Sequence, residues 1–308
     1  MASLRVIRRR LRSIESTKQI MRAMQLVSAS KFKRAQSQLL QSRLVMEFLD
    51  GLLGRVGSAV SSIAHPLCER RHSAESLLVV MTSDTGLCGS YNTNLIHLAE
   101  SHLRREGARA TRIAFIGKKG HRHFTRRGWP AARAYLDLAG RPAITDISAI
   151  GAELLEDFLS GRAGTVDLLY ARFVSSAVSR PVIRRWLPIS LEAPRPNAEL
   201  GMRNAEPKTR LADSEFRTPN SALEEYIFEP TPERVFEDLL PRWALAAFQV
   251  AVLESFTSEH GARMVAMKNA TDNAEDLLKQ LTRQRNRIRQ SMITKELSEI
   301  VGTAEALK

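Results

Sequence analysis

Two long series of apolar and small residues, one at each end of the chain, constrain the fold more than any other feature. The first runs from Leu4 to Val60 at alternating steps of three and four residues, with no proline and no glycine before Gly51. A mean step of about 3.5 residues is the period of a left-handed coiled coil. One continuous helix over this range is about 80 Å long, which no compact domain needs.

The second series follows a helix start at Thr231, where an N-cap residue precedes a proline in the first turn and an acid that favours the helix dipole. Apolar or small residues then recur from Leu253 to Met292 over a range that again exceeds about 70 Å as a helix. Two such helices at the termini pair most simply as an antiparallel coiled coil. The seam of the first helix is unusually polar, with Lys18, Gln25, Ser28 and Ser42.

The segment between the two series has a different pattern. Apolar runs typical of strands occur at 75–83, 110–117 and 166–174, and helical stretches occur at 92–105, 118–127 and 147–160. This alternation predicts a Rossmann-like α/β domain with a parallel or mixed sheet. The span 191–222, rich in proline, asparagine and charge, is predicted to be an irregular loop. The chain thus divides into an N-terminal coiled-coil helix (1–65), an inserted α/β domain (66–230) and a C-terminal coiled-coil helix (231–308).

The positive charge of the chain is concentrated at its start. The formal net charge is +13, and the first 43 residues contain eleven Lys or Arg and one acid, Glu15, which gives +10 there. Such a basic arm is expected to meet an acidic protein surface, a nucleic acid or an anionic lipid. Two cysteines are too few for a disulfide framework. The basic start lacks the apolar segment of a secretory signal, and no apolar run reaches about 18 residues, so we expect a soluble intracellular protein.

The stretch SDTGLCGSYN (83–92) lies at the end of the first predicted strand, where doubly wound folds bind ligands. It matches neither GxGxxG nor GxxxxGK[ST]. Cys88 could serve as a nucleophile, but the motif contains no base, and His97 falls on the following helix. The favoured interpretation is a strand-to-helix turn whose glycines allow close backbone approach.

Other chemistry is weakly indicated. The basic stretch GKKGHRHFTRRGW (117–129) could touch RNA, but it fits a surface helix better. The lone seam histidine His260 is interpreted as a packing residue. The sequence contains no HExxH motif, CxxC pair, EF-hand loop or paired-carboxylate spacing. No catalytic, cofactor or metal site is therefore predicted.

Three stretches together resemble the γ subunit of F-type ATP synthases. They are the N-terminal RVIRRRLRSIESTKQIMRAMQLVSASKFKRAQ, the central SDTGLCGSYN, and the C-terminal SEHGARMVAMKNATDNAEDLL with RQSMITKELSEIVGTAEAL. The resemblance implies a non-catalytic central-stalk rotor at the cytoplasmic face of a bacterial inner membrane. Its implied partners are the α and β subunits of the α3β3 ring, the ε subunit and the c-ring, with no cofactor.

The resemblance also implies roles for particular residues. The rotor–stator contacts are expected at Met24, Arg289, Gln290, Thr294 and Glu296. The contacts to ε and the c-ring are expected at Tyr226, Phe228 and Glu229. The family's signature turn corresponds to Ser83, Asp84, Gly86, Cys88 and Gly89, and it is not a catalytic site.

Antiparallel pairing is expected to bring Met24 level with Arg289 and to place Phe32 opposite Leu281.

The chain departs from the family pattern at four positions. Thr85 stands where an arginine is usual, and Ser90 where a glycine is usual. Pro241 lies inside the expected C-terminal helix, where it should kink or restart it. Gly261 replaces a helix-favouring residue, at a cost of about 1 kcal/mol in an exposed helix. Two alternatives to the rotor remain open here: a basic coiled-coil nucleic-acid-binding protein, and an α/β enzyme acting through Cys88.

Overall fold

The two terminal series form the two longest helices of the protein. In the computed structural model, α1 spans Leu4–Ala59 and α5 spans Pro232–Ala306. At 1.5 Å per residue they are about 85 Å and about 110 Å long. The residues that the structure describes are 4–59, 65–69, 75–106, 111–138, 143–189, 229 and 231–306. The irregular loop predicted at 191–222 lies outside them.

A five-stranded sheet lies between the two helices in the chain. Its strands are β1 (Ser76–Met81), β2 (Thr111–Ile116), β3 (Ala131–Tyr135), β4 (Thr165–Phe173) and β5 (Ser179–Leu187). The helices that connect them are α2 (Tyr91–Glu106), α3 (Lys118–Thr125) and α4 (Ile144–Leu159). The strand order is β3-β2-β1-β4-β5, with β5 antiparallel to β4 and the other pairs parallel. The predicted fold class, two long antiparallel helices with an inserted Rossmann-like domain, is confirmed.

Sequence analysis missed the two edge strands of this sheet. The strand β3 has five residues and no valine or isoleucine, so its pattern is weak. The strand β5, SRPVIRRWL, contains three arginines and Pro181. Charged residues and proline are found on edge strands, where they discourage pairing with other chains. The arginines and the proline that made β5 difficult to predict are therefore the residues that suit it to an edge position.

Two apolar clusters cover the two faces of the sheet. On one face, Leu95 of α2 and Phe124 of α3 belong to a cluster that includes Leu78 and Val80 of β1. On the other face, α4 and α5 share a second cluster with alternate residues of β1 and β4. This second cluster also includes Leu39 and Val56 of α1 and six large side chains of α5, each less than one-tenth exposed: Phe236, Leu240, Phe248, Val252, Leu253 and Phe256. The helix α5 is therefore part of the core of the α/β domain.

The central turns of α5 are buried on every side. All ten residues from Ala251 to His260 are buried. The helix α1 covers one side of α5, and the sheet together with α4 covers the opposite side. Among the described residues, one helix is long and apolar enough by composition to cross a membrane, and this helix is α5. More than half of its apolar window, 56%, is buried inside the protein. Its apolar composition is thus accounted for by packing within the chain.

The two helix-disfavouring residues of α5 behave differently from expectation. The helix continues through Pro241 without a break, so it does not restart there. Gly261 is buried rather than exposed. A Cβ atom at this position would lie 2.8 Å from the Ser176 carbonyl oxygen and 3.3 Å from Cε2 of Phe32. Glycine is needed at 261 because the loop between β4 and β5 and the first helix both approach α5 at this point.

Replacement of this glycine tests the packing. Gly261→Ala is expected to lower the free energy of unfolding by about 1 to 3 kcal/mol, because overpacking outweighs the better helix propensity of alanine. The matched control is Gly51→Ala in α1, where an added Cβ meets nothing within 4 Å. That substitution is expected to stabilise the chain by about 0.5 to 1 kcal/mol. Urea unfolding followed by circular dichroism measures both, and a Gly261→Ala chain at least as stable as the parent would contradict the packing.

Candidate functional site: the paired-helix shaft and its junction with the sheet

The described part of α1 pairs with α5 in a single antiparallel register. Lys18 Nζ lies 3.5 Å from a carboxylate oxygen of Glu275, and Trp243 Nε1 donates to a carboxylate oxygen of Asp50 at 2.6 Å. At the same register, Phe32 lies against Gly261. We call this pair of helices the shaft.

The observed register corrects the predicted one. Met24 is level with residue 269, and Arg289 is level with Leu4 at the start of α1. Met24 and Arg289 are therefore separated by some twenty residues along the shaft, about 30 Å. The predicted pairing of Phe32 with Leu281 is wrong. A seam that repeats every seven residues fits almost equally well after a shift of about three heptads, so the periodicity alone could not distinguish the two registers.

The last turns of α5 extend beyond α1. The described part of α1 begins at Leu4, and every residue of α5 from 289 to 303 is exposed. This overhang, residues 290–303, contains Gln290, Thr294 and Glu296 of the predicted rotor–stator set, and Arg289 lies directly before it. It also exposes five large apolar side chains, Met292, Ile293, Leu297, Ile300 and Val301. Met24, by contrast, lies half-buried at the seam far from this overhang.

Arginines of both helices meet at one level of the shaft, just before the overhang. The observed register places residues 4–12 of α1 opposite 281–289 of α5, and neither segment contains an acid. We call the nine arginines of this level the arginine belt: Arg5, Arg8, Arg9, Arg10, Arg12, Arg283, Arg285, Arg287 and Arg289. All except Arg285 are exposed. Such a concentration of like charge favours an acidic partner over an apolar one.

The other predicted contact set lies mostly outside the described part of the chain. Tyr226 and Phe228 are not among the described residues. Glu229 is described and is exposed. Their assignment to ε and c-ring contacts therefore stays a prediction.

The turn 83–90 after β1 is held by side-chain hydrogen bonds. The Ser83 backbone N–H donates to Asn92 Oδ1 at 3.0 Å, and Asn92 Nδ2 donates to the Ser83 hydroxyl at 2.7 Å. Asp84 Oδ1 accepts from the backbone N–H of Lys118 at 3.1 Å and of Asp137 at 3.3 Å. These bonds tie the turn to α2, to the start of α3 and to the end of β3. The prediction that Ser83 and Asp84 bond to nearby groups in a tight turn agrees with this geometry.

The turn also contacts α5 through a buried guanidinium. Arg263 donates from Nη2 to the Thr85 hydroxyl at 2.9 Å and to the Thr85 carbonyl at 3.3 Å, and from Nε to the Gly86 carbonyl at 3.2 Å. Its Nη2 also lies 2.6 Å from Glu259 Oε1. Burial raises the pKa of Glu259, and the neighbouring Arg263 opposes that rise. Close by, the Tyr91 hydroxyl bonds to Ser255 Oγ at 2.8 Å.

The helix α5 packs at the carboxyl ends of the strands, which is where doubly wound folds bind ligands. Val252, Ser255, Phe256 and Glu259 pack against Met81, Thr82 and Ile116 at the carboxyl ends of β1 and β2. The space between these described residues has no volume for a water molecule. Because a helix of the same chain fills this space, the described residues at the carboxyl ends of β1 and β2 leave no room for a nucleotide between them.

Cys88 is placed as a packing residue. Its side chain is 2% exposed and its sulfur accepts from Asn92 Nδ2 at 3.1 Å. His97 is exposed on α2, 4.0 Å from a carboxylate oxygen of Glu100. Within the described residues, no group of three or more His, Cys, Asp or Glu is placed to hold a metal ion. His260 is 1% exposed, and its Nδ1 lies 3.3 Å from Arg263 Nη1.

Arg263, Tyr91 and Ser255 were not singled out from the sequence. Arg263 lies 177 residues after Gly86 in the chain, so no local pattern connects them. The available signal was a pair of oppositely charged residues at positions 259 and 263, one helical turn apart in the C-terminal helical series. Burial of such a pair requires further hydrogen-bond partners.

Comparison with known proteins gives one consistent result. A family model described as ATP synthase matches residues 3–307. Curated relatives include proteins named ATP synthase gamma chain from Moorella thermoacetica (37% identical over 308 residues), Pelotomaculum thermopropionicum (38% over 308) and Anaeromyxobacter sp. (39% over 313). Each of these alignments covers 100% of this chain and 100% of the relative. Nothing in these names supports the nucleic-acid alternative.

Solved structures share the fold over almost the whole chain. A chain of the Euglena gracilis mitochondrial ATP synthase OSCP/F1/c-ring in rotational state 3 has a TM-score of 0.64 at 22% identity, and the match covers 99% of this chain and 94% of that one. A chain of the rotor of the same enzyme in rotational state 1 has a TM-score of 0.61 at 20% identity, covering 94% and 98%.

The reactivity of the two thiols tests the placement of Cys88. Burial raises the pKa of Cys68 to about 11, so at pH 8 its thiolate fraction is about a hundredfold below that of an unperturbed thiol. Labelling of Cys68 by iodoacetamide is expected to be slow and to accelerate about tenfold per pH unit. Cys88 is expected to react only as fast as the chain unfolds. Mass spectrometry of labelled peptides measures both rates, and rapid labelling of Cys88 in the folded chain would revive its assignment as a nucleophile.

Proposed function

Because the chain belongs to the family of ATP synthase gamma chains, we propose that it is the central-stalk rotor subunit of an F-type ATP synthase. It couples ion flow through a membrane sector to ATP synthesis or hydrolysis in an α3β3 ring by rotation. The chain itself is a non-catalytic subunit. The observation that supports this function best is the full-length likeness to gamma chains, in a fold whose two terminal helices form a shaft longer than the domain inserted between them.

The asymmetry of the shaft is what allows it to act on three equivalent catalytic subunits. A ligand or partner shifts a conformational equilibrium only when it interacts differently with the alternative states. Two helices side by side have no threefold symmetry, so at any moment each catalytic subunit faces a different surface of the shaft. Rotation by a third of a turn exchanges these surfaces. The three subunits therefore pass through the same states in sequence.

The end of the shaft meets the ring through two kinds of surface. The overhang of α5 presents apolar side chains and the predicted contacts Gln290, Thr294 and Glu296, and the predicted contact Arg289 lies in the arginine belt. The arginine belt below it meets acidic groups of the ring. Met24, about 30 Å from Arg289 along the shaft, contacts the ring at a separate and lower level.

The opposite end of the shaft meets the membrane sector. Tyr226, Phe228 and Glu229 contact the ε subunit and the c-ring, and the exposed Glu229 at the start of α5 is consistent with this place. The chain reaches the membrane only through the complex. It lies at the cytoplasmic face of a bacterial inner membrane, and it binds no nucleic acid in this role.

Single-molecule rotation is the direct test of this function. The full chain is assembled with α and β subunits, the ring is fixed to a surface, and a rod is attached to a cysteine introduced at Ser101, an exposed residue of α2. Addition of ATP is expected to drive rotation in one direction with three pauses per turn. An assembled complex that hydrolyses ATP while the rod shows only random motion would contradict the proposal.

Met24→Lys tests the lower contact level. A lysine here offers acidic groups of the ring a new ion pair, and a pair removed from water is worth several times an exposed one. The new pair favours one rotational position over the others. We expect retained ATP hydrolysis with less ion uptake per ATP in reconstituted vesicles, and a larger defect at low salt.

Met24→Leu is the matched control, because it keeps the apolar character and the approximate volume without the charge. It is expected to leave the ratio of ion uptake to hydrolysis unchanged. An unchanged ratio in Met24→Lys, with normal assembly, means that position 24 does not contact the ring.

A further inference from the structure

We propose that Arg263 is the residue that locks the α/β domain to the root of the shaft and sets the torsional stiffness of this joint. This inference rests on the proposed rotor function and adds to it a positioning role for one buried side chain. The lock consists of the Arg263 guanidinium, the carboxylate of Glu259, and the Thr85 and Gly86 acceptors of the turn after β1. We call this group the root lock.

The position of Arg263 along α5 makes it the root of the shaft. The helix is buried on every side from residue 251 to residue 261, where the sheet, α4 and α1 all surround it. From residue 268 onward its described residues are exposed except on the side that faces α1. Arg263 lies between the fully buried segment and the partly exposed segment of α5, and 8% of its side chain is exposed. Any torque passed between the α/β domain and the free shaft crosses this level.

The turn that Arg263 contacts is itself rigidly attached to the sheet. Ser83 is bonded to Asn92 of α2, and Asp84 accepts backbone N–H groups from Lys118 and Asp137, at the carboxyl ends of β2 and β3. A force on Thr85 is therefore spread over three elements of the domain. Within the turn, Gly89 adopts a φ of +59° and lies close enough to α5 that an added Cβ would be 3.8 Å from the Cβ of Ala266.

The other contacts at this junction are less directional than the root lock. The apolar cluster of α4, α5 and the sheet is non-directional. Beyond the root lock, the polar bonds from the sheet side to this stretch of α5 include those of Tyr91 to Ser255 and of Ser258 Oγ to the Ala171 carbonyl at 3.0 Å. Arg263 differs because one planar group donates in fixed directions to three acceptors on the turn and to Glu259. Fixed directions are what oppose rotation about the helix axis.

Arg263→Lys tests the root lock while keeping the buried positive charge on which the stability of the fold depends. Lysine keeps a positive charge against the buried Glu259, so no uncompensated carboxylate is left in the interior. A single ammonium group cannot reproduce the planar fork that reaches Thr85 and Gly86 together. Thr85→Val gives a graded second variant, because it removes one acceptor and keeps the shape of the side chain.

The readout is the thermal angular motion of the α/β domain in the assembled complex. The ring is fixed, rotation is stalled with bound nucleotide, and the rod on Ser101→Cys reports the angular variance, which is inversely proportional to torsional stiffness. Arg263→Lys is expected to increase the variance at least about twofold, because the fork is lost, and Thr85→Val is expected to increase it less. The matched control is Arg242→Lys, the same change at an exposed site of the same helix, which is expected to leave the variance unchanged.

The outcomes separate this proposal from the one on which it rests. If the rod on the parent chain shows only random motion under ATP, the proposed rotor function itself is contradicted. Normal rotation with equal variance in the parent, Arg263→Lys and Arg242→Lys chains overturns the root lock alone. If Arg263→Lys fails to assemble, Thr85→Val, which leaves both buried charges in place, decides: an increased variance supports the lock, and an unchanged variance overturns it.

Discussion

The packing of α5 between α1 and the sheet is the interaction on which the rest of the structure depends. One helix supplies half of the coiled coil and, in the same turns, much of the core of the α/β domain. Burying a large apolar side chain is worth about 1.5 to 3 kcal/mol, and six such side chains of α5 lie in the cluster that it shares with the sheet, α4 and α1. The shaft and the inserted domain are thus parts of one folded body rather than two bodies joined by a linker.

This arrangement explains why, among the described residues, the crevice at the carboxyl ends of β1 and β2 is closed. In open parallel sheets the crevice at the carboxyl ends of the strands is where ligands bind. Here the same crevice is filled by Val252, Ser255 and Phe256 of α5. The turn SDTGLCGSYN, which has the position of a phosphate-binding loop, instead holds a helix of its own chain through Arg263. The polar groups of this turn therefore hold α5 against the sheet.

Periodicity predicted the helices and the fold class, because apolar series of this length have no other reasonable structure. It could not predict the register, since a heptad pattern repeats; the register depends on single contacts such as Gly261 against Phe32 and Asp50 with Trp243. Edge strands with arginines and proline lack the apolar alternation of a central strand, so β5 was missed. The partner of the central turn could not be predicted because it lies far away in sequence.

Hydrogen exchange of the free full-length chain tests most directly whether shaft and domain are one body. Backbone amides of α5 from 251 to 261 are expected to exchange as slowly as those of β1 and β4, at the rate of global unfolding, while those from 291 to 303 exchange by local opening. A result in which the strands stay protected while 251–261 exchange by a separate and less costly opening would contradict the account. The helix would then be docked on the domain and not built into it.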